Sequence, residues 1–232
     1  MYLHPDLTPM THEESVALYR ALGEGDVQGR ADLYLDFSPL SGRVETEVFR
    51  DRLAAVVWLF QTGSDKALKA LEAVREERRA PGAPDDDHGG GPADLDDVLA
   101  REEGAVETVL ALQLGSLELM AVAALEALLG DLLPDSSRAR GLKARFEEWS
   151  ASAGVSDEER RAQWGRISVL ADRRNRFAHS LDGSPWAPRG EPVDADRVED
   201  TFQRVGDLAL WIDHAVSAET VGRKSTRTKE RP

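Results

Sequence analysis

The stretch Arg173-Arg174-Asn175-Arg176-Phe177-Ala178-His179-Ser180 gathers three arginines, an asparagine and one of the chain's five histidines into eight residues. A guanidinium presents a planar fork of N–H donors that matches the oxygens of a phosphate. An imidazole exchanges a proton near neutral pH. Together these groups suit chemistry on a phosphate ester. The same composition also describes a solvated basic helix end, where cations face the negative end of the helix dipole.

For such groups to act together, one element must present them. Ile167, Leu170, Ala171, Phe177, Ala178 and Leu181 fall within about 100° of arc on a helix, the width of a core-facing stripe. Ser156, followed by Asp157, Glu158 and Glu159, is a helix start, and Gly183, Pro185 and Pro188 close the helix after about Leu181. Arg174 falls in the middle of the stripe, where a lone guanidinium is costly unless it is paired or opens into a cleft. Ser168, Asp172, Asn175 and His179 form a polar row along its edge. Arg173 and Arg176 fall on the solvent side as ordinary cations. A counterpart lies upstream, where Glu118 interrupts the apolar side formed by Leu110, Leu114, Leu117, Ala121, Val122, Leu125 and Leu128. It could pair with Arg174, lie at a helix edge or meet another chain.

The rest of the chain must build the frame. With 232 residues, 41% hydrophobic and 31% charged, it can bury a core. Its abundance of Ala, Leu, Glu and Arg favours helix. Without cysteine it has neither disulfides nor thiolate metal sites, which fits a reducing, cytoplasmic compartment. No N-terminal signal peptide is evident. The longest apolar run, 105–133, contains Glu107, Gln113, Glu118 and Glu126 and reads as too polar for a membrane span. A net charge of −14 argues against coating nucleic acid through the overall field, so any RNA contact is local.

The predicted fold class is all-α, a bundle of long antiparallel helices. Thr11 with Glu14 caps a first helix to about Leu22. Residues 31–42 read as a short strand or extended loop. A helix with Val44, Val48, Leu53, Val56, Val57 and Phe60 inward precedes another from Ser64 or Asp65 to Arg79, whose stripe is Leu68, Leu71 and Val74. Ala80–Asp94, with prolines, a glycine triplet and an acidic cluster, reads as a flexible loop. Its Asp85, Asp86, Asp87 and His88 are not preorganised to hold a metal. One long helix or two joined near Gly104 follow to Leu133, then a short helix 142–150, the arginine-rich helix, and a last helix 194–218 with Val198, Phe202, Val205, Leu208 and Ile212 inward. These divisions give an N-terminal extension (1–80), a linker (81–93), a helical domain (94–218) and an irregular basic tail (219–232). Trp149, Trp164, Trp186 and Trp211 read as packing anchors. His4, His12 and His214 have no ligand-like spacing.

On Arg174-Asn175-Arg176-Phe177-Ala178-His179 the chain resembles the HEPN superfamily, whose signature is R-x4-6-H near the end of a helix in an all-α bundle. Asn175 after the arginine and Ser180 after the histidine match frequent variants, and the resemblance covers about 94–218. It implies a metal-independent endoribonuclease with no cofactor, often a toxin or antiviral effector, acting as a homodimer whose motif helices meet, with an antitoxin or defence-system protein as a further partner. Under it Arg174 stabilises the transition-state charge, His179 moves the proton and Asn175 orients it. Glu118 and Asp172 support the site, Arg173 and Arg176 contact RNA, and the product is a 2′,3′-cyclic phosphate. The alternative is a non-catalytic helical module that binds a nucleotide or a partner protein.

Overall fold

A computed structural model describes residues 29–36, 40–79, 92–182 and 193–229 of the chain. Six helices occur there and no strand: α1 (Gly29–Asp32), α2 (Val44–Arg79), α3 (Pro92–Leu132), α4 (Leu142–Ser152), α5 (Asp157–Asp182) and α6 (Ala195–Lys229). The expected helix from Thr11, the Ala80–Gly91 part of the acidic loop and Trp186 lie outside the described residues.

α3 is the hub, packing against α2, α4, α5 and α6. Its 41 residues span about 60 Å at 1.5 Å per residue. Leu114, Leu117, Ala121, Val122, Leu125, Leu128 and Leu129 are buried along it. They join Leu53, Val57 and Phe60 of α2 and Phe202, Val205, Leu208 and Ile212 of α6 in one hydrophobic cluster. The cluster continues across the boundary expected between an N-terminal extension and a helical domain, because α1 and α2 supply part of the same core. By length and composition the Asp96–Leu132 stretch would pass for a membrane-crossing helix, contrary to the reading from its glutamates, with 44% of its most apolar window buried inside the fold.

Several local expectations are corrected. Residues 29–36 form one helical turn and a tight turn rather than a strand or extended loop, with Asp36 at φ 50°. The alternation of Leu33, Tyr34 and Leu35 still sorts the side chains: both leucines are buried and Tyr34 meets Phe202 edge-to-face at 5.3 Å. α2 runs unbroken through Gly63 and Ser64. A mid-helix glycine costs only about 1 kcal/mol, less than burying Leu71 and Val74 returns. Val44 and Leu68, expected inward, are exposed, and Phe49 is buried instead. Gly104 does not divide α3. α6 continues to Lys229 where an irregular tail was expected.

At the other end of the core Trp149 and Trp211 meet edge-to-face at 5.6 Å, and Phe146 lies 6.0 Å from Trp211 and 6.2 Å from Trp164. The helix that carries the arginines begins with a reciprocal cap. The Glu159 amide donates to the Ser156 hydroxyl (3.2 Å), and the Ser156 amide donates to the Glu159 carboxylate (3.1 Å). The hydrogen bonds from Ser156 hold that carboxyl below the usual carboxylate range.

Gly206 of α6 lies against the carbonyl of Tyr34, so a Cβ there would strike backbone. Gly165 of α5 faces open space. Gly206→Ala should therefore cost at least about 1–3 kcal/mol, whereas Gly165→Ala should stabilise by roughly 0.5–1 kcal/mol. Urea denaturation of the two variants would read the contrast, and equal shifts would contradict this packing.

Candidate functional site

α5 meets α3 through two neighbouring arginines that diverge. Both lie within about 60° of Leu170 at 100° per residue, one on each side. The carboxylates within reach decide which turns inward. Arg173 is the buried one, with its side chain 18% exposed. Its Nη1 donates to the Thr201 hydroxyl (2.8 Å) and pairs with Asp200 (2.7 Å), and its Nε stands 3.8 Å from Glu118. Arg174 turns the other way, toward Glu126 and α4, and is 34% exposed. This reverses the phase reading, which placed Arg174 in the core and Arg173 in solvent.

Glu118 is fully buried and does not pair with Arg174. Arg197, in the first turn of α6, donates to both of its oxygens, from Nε at 3.0 Å and from Nη2 at 2.9 Å. The Thr201 hydroxyl stands 3.1 Å from the same carboxylate. A bidentate guanidinium and a hydroxyl are what a desolvated carboxylate requires. Arg197, Asp200 and Thr201 were not singled out from the sequence. Only Asp194 marked the start of that helix, where its carboxylate accepts from the Arg197 amide at 2.8 Å.

On the other flank, Arg174 Nε is 3.5 Å from Glu126 Oε2, close enough for charge attraction but without hydrogen-bond geometry, and neither atom finds another hydrogen-bond partner. Arg145 of α4 donates to the Glu126 carbonyl at 2.7 Å and stands 4.0 Å from its carboxylate. Lys143 pairs with Asp172 at 3.0 Å. Asp172 is thus an exposed ion-pair member rather than part of a buried polar edge. Asn175 and Arg176 are exposed, and Asn175 Oδ1 lies 3.4 Å from Arg174 Nη1. α5 continues through His179, whose side chain lies outside the described residues.

The structure therefore brings Arg174, Asn175, Lys143 and Arg145 to one flank, and Arg173 and Glu118 to a separate buried knot. Residues 136–145 contain Arg138, Arg140, Lys143 and Arg145 and no acid. This cationic run in an acidic chain was the signal for the α4 contribution. Phe177 anchors the segment: its ring fills the space that a Cβ on Gly115 of α3 would need. Among the described residues no group of three or more His, Cys, Asp or Glu could hold a metal ion.

Two consequences can be measured. Glu118→Ala leaves two arginines facing a buried void and should cost about 3–5 kcal/mol, against about 1 kcal/mol or less for Arg174→Ala. Denaturant midpoints giving similar losses would refute the assignment. The Asp200 carboxyl is held below its ordinary range chiefly by the hydrogen bond from Arg204, which outweighs desolvation, with Arg173 adding to it. A carboxylate with a depressed folded-state pKa contributes stability that is present above its unfolded pKa and is lost as pH falls through the folded one. Asp200→Asn should flatten the decline of Tm on the acid side, and an unchanged acid limb would contradict this role.

No family model, curated protein or solved structure matches the chain.

Proposed function

We propose that the chain is a HEPN-type endoribonuclease that cuts RNA without metal from the exposed flank of α5, in the cytoplasm, as a toxin or antiviral effector. The observation that supports this best is the state of Arg174. It faces Glu126 at 3.5 Å, donates from Nη1 to the exposed Asn175 at 3.4 Å, and precedes His179 by five residues on one continuous helix.

In this reading the RNA 2′-hydroxyl attacks the adjacent phosphorus. The new 2′-O–P bond forms as the P–O5′ bond breaks, giving a 2′,3′-cyclic phosphate and a 5′-hydroxyl. One imidazole accepts the 2′-hydroxyl proton and another group protonates the departing O5′. Each chain supplies a single His179, so the second role falls to another copy or to water. Arg174 stabilises charge on the non-bridging oxygens, and Asn175 orients phosphate or histidine. Lys143, Arg145 and the exposed Arg176 extend a local cationic surface for the backbone. Arg173, held by Asp200, Thr201 and Glu118, belongs to the positioning framework of α5 rather than to RNA contact.

A non-catalytic reading draws on the Glu126 carboxylate, which offsets part of the Arg174 charge and would suit reversible binding of a nucleotide. Incubation of bulk RNA in EDTA separates the two. His179→Ala should lower cleavage about 10²–10⁴-fold, and Arg174→Ala about 10²–10³-fold, with both folds intact by circular dichroism. Cleavage that survives in His179→Ala would reject the mechanism, and nucleotide binding without any turnover by the wild type would select the second reading.

A further inference from the structure

Beyond the knot at Glu118, α2 and α3 run on together as an arm. α6 starts beside Glu118, where Arg197 meets it, and leads the other way, so that Trp211 reaches Trp149 of α4. α5 crosses Gly115 at Phe177 and ends at Asp182, about 8 Å further along. The pairs Arg52–Asp131 and Arg75–Glu103 set α2 antiparallel to α3. Among the described residues, the stretches 66–79 and 92–110 therefore pack chiefly on each other. Their apolar contact is thin. Leu71, Val74 and Leu99 are buried there, and none of the three joins the main hydrophobic cluster. Ser64, buried at the base of the arm, has a hydroxyl that finds no hydrogen-bond partner among the described residues.

Charge closes what packing leaves weak. Glu103 of α3 accepts from Arg75 Nε at 2.7 Å on one oxygen and from Arg78 Nη1 at 3.0 Å on the other. Each arginine, on adjacent turns of α2, also has a second carboxylate. Arg75 Nη2 donates to Glu107 at 2.6 Å, and Arg78 Nε donates to Asp96 at 2.8 Å. Glu103 is the shared member and the least exposed of the five, at 17%. The hydrogen bonds from Arg75 and then Arg78 hold its carboxyl below the ordinary range. The pairs therefore survive mild acid and are lost only as pH falls through that lowered value.

We infer that the α2–α3 arm is a separately opening unit of the fold, latched by Glu103 and released by ions that compete for its two arginines. Segments with few buried apolar contacts open at a lower free energy than the core they adjoin. The latch is half in solvent, so salt reaches it: at about 1 M the screening length falls to about 3 Å, the span of the pairs themselves. Glu118 is fully buried and beyond that reach. Ionic strength thus separates the two charge clusters, loosening the arm while the bundle holds. Opening uncovers Leu71, Val74 and Leu99 beside Leu68 and Val98, which are already exposed. The inference stands apart from the nuclease reading.

Hydrogen exchange of the full-length protein reads the opening directly. Amides of 67–78 and 96–106 should lose protection ahead of those of 117–129 and 201–212. Raising sodium chloride to about 1 M should speed exchange in the arm about tenfold and leave the bundle unmoved. Glu103→Gln should bring the arm near the fast rate at low salt and remove most of its further response. A thiol gives a second readout, since the chain has no cysteine. Leu71→Cys should react with a maleimide faster as salt rises, whereas Leu125→Cys in the core should not. One exchange rate shared by arm and bundle overturns the inference, as does an arm indifferent to salt. A Glu103→Gln arm that answers salt as the wild type does removes the latch, and the proposal with it.

Discussion

A carboxylate buried to the last atom is tolerated in a fold only when charge and hydrogen bonds replace the water it has lost, and Glu118 is such a group. Arg197 grips both oxygens, Thr201 adds a hydroxyl, and Arg173 joins through that hydroxyl with Asp200 pairing beyond it. The acid comes from α3, one arginine from α5 and the other arginine, the hydroxyl and Asp200 from α6. The knot therefore fixes the relative position of three helices that leucine packing alone would leave free to slide. Such a knot adds little net stability over an apolar replacement. Its consequence is register, and the register of α5 decides where the turn carrying Arg174, Asn175 and His179 emerges.

Around that knot, α3 serves two surfaces. Its Glu118 side is close-packed, with Leu125, Leu128 and Leu129 fully buried. Its back remains apolar in Val109, Leu112 and Met120. A helix that is apolar on nearly every side usually marks deep burial or lipid. Here it is buried on one side and exposed at Val109, Leu112 and Met120 on the other. The cations Lys143 and Arg145 of α4 stand near the Arg174 flank through Asp172 and Glu126.

The division of labour between the two arginines follows from their surroundings. Arg173 is the more engaged, its Nη1 facing the Arg197 carbonyl, the Thr201 hydroxyl and the Asp200 carboxylate. Arg174 has one carboxylate at 3.5 Å and the Asn175 side chain at 3.4 Å, and is 34% exposed. Arg173 thus ties α5 to α6, while Arg174 stands at the more exposed edge of the helix.

Much of this was legible in the sequence. The helical class, the inward row Val198, Phe202, Val205, Leu208 and Ile212, and the cap at Ser156 with its acids follow from periodicity and local hydrogen bonding, which act within a few residues. The concentration of cations at 173–176 was equally plain, while the run at 138–145 went unread. The sequence misled at Gly63, where a break was read into α2, and at residues 29–36, read as strand or extended loop, and left the partner of Glu118 open, because each depends on groups distant along the chain. Helical phase placed Arg174 within the apolar stripe and Arg173 in solvent, and the structure reverses the two. A long guanidinium follows the nearest unneutralised carboxylate, and only the tertiary packing of α6 against α3 sets Asp200, Thr201 and Glu118 beside Arg173 and leaves Arg174 at the edge with Glu126.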